Sequence, residues 1–121
     1  MSLSMDLKNR KCKPCEGGVL PLGKDAAERM RQNVSDWQIS DDGKTLTRQF
    51  LMQDFVSAVD FINQIKTVAE QEDHHPDFHL TSYRKLLIEL STHSIGGLSE
   101  NDFILAAKID ELPKKLKVQI K

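Results

Sequence analysis

The sequence predicts an α+β domain, a four-stranded antiparallel sheet with three helices packed on one face, in the order α-β-β-α-β-β-α. Three observations carry this. From Asp54 to Ala69 the apolar residues recur with the 3.6-residue period of a helix. On either side of that stretch, short segments alternate apolar and polar residues with the period of two that marks a half-buried strand. Turn and capping residues separate the segments, and at 121 residues with 39% hydrophobic content the chain suits one domain with one core.

The first helix is read from Lys24 to Val34, where Ala26, Ala27, Met30 and Val34 fall at helical spacing after Pro21 and Gly23. Trp37 and Ile39 then alternate with polar neighbours, Asp41-Asp42-Gly43 supplies turn chemistry, and Leu46, Arg48 and Phe50 share one parity, which predicts a hairpin. In the second helix Phe55, Ala58, Val59, Ile62, Ile65 and Ala69 form one face. Asp73-His74-His75-Pro76 ends it, because proline cannot continue the hydrogen-bond ladder and disfavours helix before it. Phe78 and Leu80, then Leu86, Ile88 and Leu90, predict a second hairpin turning through about Ser82 to Lys85. Ser99-Glu100-Asn101-Asp102 reads as a capping box opening a third helix through Phe103, Ala106, Ala107 and Asp110 toward Pro113. The basic tail from Lys114 to Lys121 carries no clear pattern.

Residues 1–22 are expected to be a partly flexible N-terminal extension and residues 23–121 the single domain. Met1 to Met5 carries a second Met and no pattern, and it is left out of the fold reading. Cys12-Lys13-Pro14-Cys15 is either a redox pair, half of a zinc site completed by His75 and His79, or a lightly packed segment leading to Gly17-Gly18; the last needs no missing ligands.

Lys plus Arg (17) nearly balance Asp plus Glu (18), so no strong field of one sign exists to hold nucleic acid or an anionic membrane, and no direct nucleic-acid binding is expected. The apolar runs fall far short of the ~20 residues of a membrane span, and no signal-peptide core opens the chain. A cytoplasmic protein is expected.

The histidines are the residues most suggestive of chemistry. A second hairpin centred on residue 84 places His75 opposite His93, with His74 and the end of the second helix beside them. Histidine titrates near neutral pH, so one ring can donate while another accepts, as proton transfer requires. The spacing alone also admits a plain loop or a metal site. His79 has no evident partner, Asp102 is accounted for as the third residue of a capping box, and Glu70, Glu72 and Asp73 read as a solvated helix end. Acids at a helix C-terminus oppose the helix dipole, however, and invite a reason beyond stability.

Glu70-Gln71-Glu72-Asp73-His74-His75-Pro76-Asp77-Phe78, then Ser91-Thr92-His93, then Gly97-Leu98-Ser99-Glu100-Asn101-Asp102, together resemble the signature of the pterin-4a-carbinolamine dehydratases. The likeness runs from Trp37 to Ile109, and the Cys-x-x-Cys-x-Gly-Gly opening is similar to that of some bacterial and plant members. The resemblance implies a four-stranded antiparallel sheet backed by three helices, assembled as a homodimer or homotetramer. It implies an active site of His74, His75 and His93, with Glu70 and Asp102 nearby, Trp37 and Phe78 lining the pterin pocket, and Asp73, Pro76 and Thr92 in the substrate-binding set. It implies a hydro-lyase that removes water from a 4a-hydroxytetrahydropterin to give a quinonoid dihydropterin in tetrahydrobiopterin recycling, with no metal or other cofactor. His74 and His93 would move protons, His75 would hold the pterin, and Glu70 or Asp102 would fix imidazole tautomers. Animal members resemble one another in having Trp where this chain has Phe78, and the stretch between His75 and His93 is one residue longer here. The alternative that the resemblance leaves open is a non-catalytic role: animal relatives also serve as dimerisation cofactors for a homeodomain transcription factor, and others act as accessory proteins in different pterin-dependent pathways.

Overall fold

A computed structural model describes residues 6–13 and 20–118. Gly23 precedes α1 (Lys24–Arg31), which tightens into a 3-10 turn at Gln32–Val34. Strand β1 (Gln38–Ile39) pairs antiparallel with β2 (Leu46–Leu51) across a turn in which Gly43 takes the left-handed conformation, φ 74°. Helix α2 (Phe55–Glu72) follows, then β3 (Asp77–Thr81), β4 (Lys85–Leu90) and α3 (Glu100–Glu111). The sheet order is β1-β2-β4-β3, antiparallel throughout. The fold is the α+β architecture expected.

Strand pairing fixes which face is buried. Leu46, Arg48 and Phe50 lie opposite Leu90, Ile88 and Leu86, and Phe78 and Leu80 lie opposite Ile88 and Leu86, so all share one face. That face joins Ala27, Ala58, Phe61, Ile65, Phe103, Leu105 and Ile109 of the helices in one core. Phe50 packs edge-on against Phe61 at 5.1 Å between ring centres. The other sheet face, including Gln49, His79 and Lys85, carries no buried residue.

Four expectations are corrected. In α2 the buried stripe is Ala58, Phe61, Ile65 and Ala69, while Phe55 is 53% and Val59 36% exposed. The apolar repeat is wider than the core contact, and Phe61 rather than Val59 faces the sheet. The second hairpin is centred on residue 83, with Thr81 opposite Lys85, and its ladder ends at Asp77 and Glu89. His75 and His93 are therefore not cross-strand partners. Trp37 is fully buried, its indole N–H donating to Asp110 at 2.9 Å. Finally, residues 6–13 are docked rather than loose: Leu7 is buried in the core, Lys8 pairs with Glu111, and Arg10 pairs with Glu100. Covered by the sheet on one side and by this segment on the other, α3 is buried from Asn101 to Ala106, as a helix enclosed all round must be. Met1 to Met5, Cys15 and Gly17-Gly18 lie outside the described residues.

Candidate active site

Two caps build the site. Asp73 closes α2 in the left-handed conformation, φ 52°, its N–H and that of His74 reaching back to Glu70 and Ala69 carbonyls. Pro76 then forces the chain to run extended into β3. His74 and His75 are thus delivered at the end of the sheet where β3 begins and β4 ends. From the other side, β4 leads into Thr92 and a 3-10 turn at His93–Ile95, which Gly96 ends with φ 70°. Gly97 must be glycine for packing reasons, since a Cβ there would lie 2.8 Å from Pro21.

The resulting cleft has a volume of about 530 Å³, within the range of small-molecule sites. His74, His75, His93, Asp73 and Thr92 line it, as do Cys12, Lys13, Glu72 and Asn101, which the sequence reading had not placed there. A second depression of about 660 Å³, between α1 and the β1–β2 turn, contains no histidine.

His74 is the best-fixed of the three rings. Its Nε2 lies 2.6 Å from Asp102 Oδ1, with the side chains 12% and 0% exposed. Asp102 does two jobs: it completes the capping box with Ser99 at the start of α3, and it holds His74. Its second oxygen accepts from the Ser99 N–H at 3.0 Å and the Thr92 hydroxyl at 2.8 Å. With Thr92 donating there, its oxygen is left to accept from Ser99 Oγ at 2.7 Å. Asp102 is therefore surrounded by donors, which places the proton of a neutral His74 on Nε2 and makes Nδ1 the acceptor of the ring.

His75 makes the opposite kind of pair. Its Nε2 lies 2.5 Å from Glu70, but the two side chains are 56% and 68% exposed. His93 is exposed at the rim. His79, read as partnerless, is bonded to Glu89 on the open sheet face, so it shares no site with His75. Among the described residues no three His, Cys, Asp or Glu side chains converge as a metal ion would need. Burial pushes the Cys12 thiol up to about 12, aided by the charge of Glu72, so Cys12 sits as a neutral thiol.

Of the expected pterin-binding set, Asp73 and Thr92 line the cleft, Glu70 and Asp102 reach it only through His75 and His74, and three further residues do not line it. Trp37 offers no ring face to a ligand, being fully enclosed. Phe78 packs against the core from the covered face of β3, and Pro76 shapes the backbone without lining the cleft. The side chain of Glu72, which reads from the sequence as part of a solvated helix end, is only 6% exposed; it lies 3.6 Å from Lys108 and accepts from the Cys12 N–H at 2.8 Å. Position 72 continues the buried stripe of residues 58, 61, 65 and 69, and that periodicity was the available signal that its carboxylate must be partnered.

Fold and cleft together define an α+β domain with a histidine–carboxylate cleft at one end of its sheet. The family model described as pterin 4 alpha carbinolamine dehydratase matches residues 21–112. A Nitrosomonas eutropha protein provisionally named pterin-4-alpha-carbinolamine dehydratase is 48% identical over 108 residues, covering 88% of this chain and 93% of that protein. Pterin-4-alpha-carbinolamine dehydratase 2, mitochondrial, of Arabidopsis thaliana is 43% identical over 88% of this chain and 59% of its own length. The crystal structure of a transcriptional coactivator/pterin dehydratase from Brucella melitensis superposes with a TM-score of 0.69 at 31% identity, covering 74% of this chain and 95% of that one. The chain belongs to the pterin-4a-carbinolamine dehydratase family.

Proposed function

We propose that the protein dehydrates 4a-hydroxytetrahydropterins to quinonoid dihydropterins by histidine acid–base catalysis, in the recycling of tetrahydrobiopterin. The observation that carries this reading is the buried His74–Asp102 bond, which presents a basic Nδ1. In the reaction the N5–H proton leaves to a base, the N5 electrons form the C4a=N5 double bond, and the C4a–O bond breaks as the hydroxyl takes a proton and departs as water. His74 takes the N5 proton; His93, exposed at the rim where water can escape, protonates the hydroxyl. His75 holds the pterin, its ring oriented by Glu70. The step balances without a metal or nucleotide cofactor.

A homo-oligomer in the cytoplasm belongs to the same proposal. It is supported by the open edge of β3 and the exposed Phe55, Val56 and Val59 on α2, apolar surface that a second subunit would cover. Among the described residues no helix is long and apolar enough to cross a membrane. A second reading, a coactivator role without catalysis, draws on the double name of the Brucella structure.

An assay on a 4a-hydroxytetrahydropterin separates the two. His74→Ala and His93→Ala should each lower kcat, general acid–base groups contributing ~10²–10⁴-fold, and His75→Ala should chiefly raise KM. Folded protein carrying both His74→Ala and His93→Ala should approach the uncatalysed rate. A rate well above that background would put the proton transfers on other residues, and an inactive wild type would favour the coactivator.

A further inference from the structure

The cleft has a wall that lies outside the region matched by the family model. That region begins at residue 21, yet Cys12 and Lys13 line the cleft beside His74, His75 and His93. They are held there by two side chains. The Glu72 carboxylate accepts from the Cys12 N–H at 2.8 Å. Asn101, only 6% exposed, uses both ends of its amide on the main chain of Lys13: Oδ1 accepts from the Lys13 N–H at 2.9 Å, and Nδ2 donates to the Lys13 carbonyl. A buried amide satisfied at both ends by one residue's backbone fixes that residue in position and orientation. Farther along the same segment, buried Leu7 and the Arg10–Glu100 pair anchor it to α3.

Asn101 and Asp102 are neighbours in the first turn of α3, and each holds a different segment that lines the one cleft. Asp102 holds His74 and Asn101 holds Lys13. The placement of the N-terminal segment is thereby tied to the placement of the histidine.

We propose that residues 12 and 13 form a substrate-contacting wall of the pterin cleft, with Asn101 as its positioning residue, so that this segment sets pterin affinity. The proposal rests on the dehydratase reading above. The chemistry suits a pterin: its 2-amino-4-oxo ring presents an amide-like edge of donors and a carbonyl acceptor, and Lys13, a residue lining the cleft, is of a type that donates to such an oxygen. Because the histidines are left in place, losing the wall weakens binding more than it slows proton transfer.

The test is a KM-against-kcat comparison on the full chain, paired with the Kd for 7,8-dihydrobiopterin by calorimetry. Asn101→Leu removes both bonds to Lys13 at similar volume; it should raise KM and Kd about tenfold while kcat stays within about threefold. Lys13→Glu, at an exposed position, should raise both at least about threefold. Asn101→Asp keeps the acceptor for the Lys13 N–H and loses the donor, and should fall between wild type and Asn101→Leu. If Asn101→Leu does not fold, Lys13→Glu and Asn101→Asp decide. KM and Kd within twofold of wild type in the folded variants, with wild type active, would overturn the proposal, even if Asn101→Leu melts earlier. A wild type with no activity would instead count against the dehydratase reading, and the Kd comparison would then judge the wall alone.

Discussion

His74 bonds Asp102 at 2.6 Å and His75 bonds Glu70 at 2.5 Å, and by distance the two pairs rank as equals. Burial separates them. Asp102 is fully enclosed and spends its remaining capacity on Thr92 and the Ser99 N–H, so the His74 ring has one orientation and one preferred tautomer. Glu70 and His75 are both more than half exposed, where water and salt screen the attraction and holding two mobile side chains costs entropy. Adjacent residues of the same type are thus held differently by their surroundings, one ring fixed and the other adjustable; under the proposed function the first suits a proton acceptor and the second a ligand contact.

The contrast can be broken from the buried side with the largest effect. Asp102→Ala leaves the Ser99 N–H, the Thr92 hydroxyl and the His74 ring without their shared acceptor and removes the capping box of α3. Urea unfolding should show a loss of about 3–5 kcal/mol, the scale of a broken buried pair; a loss below about 1 kcal/mol would mean that the network adds little to stability. Thr92→Val keeps the shape and removes one hydroxyl, so the same measurement should give about 1–2 kcal/mol, with His74 still seated. No measurable change in the unfolding midpoint would show that water replaces the hydroxyl, and that the site is wetter than its burial suggests.

Much of the fold was legible because its signals were local. The alternation around Phe50 and Ile88, the Asp73-to-Pro76 break and the Ser99–Asp102 box each write their outcome into a few adjacent residues. The second hairpin shows where locality ends. Ser82 and Tyr83 both adopt positive φ, 48° and 56°, without glycine to announce it, and the turn centre moved by one residue. That shift removed the pairing of His75 with His93, though both still reached the cleft from the ends of the ladder. Trp37 and Phe78 were misplaced for another reason. An aromatic ring can line a pocket or fill a core, and only tertiary packing decides. Trp37 was claimed by Phe50 and Asp110, and Phe78 by the core face of β3. Cys12 and Lys13 were missed because their place depends on Asn101 and Glu72, about 90 and 60 residues away, and no sequence period connects them.

The asymmetry between the two histidine–carboxylate pairs is tested most directly by measuring kcat for Asp102→Asn and Glu70→Gln side by side under one set of conditions. Both substitutions keep size and remove a charge. In Asp102→Asn an amide donor replaces one acceptor among donors, so the His74 ring loses its tautomer as well as its counter-charge. Asp102→Asn is expected to lower kcat at least about tenfold, while Glu70→Gln stays within about twofold and shows its effect in KM. Equal losses of kcat in the two variants, or a larger loss in Glu70→Gln, would contradict it.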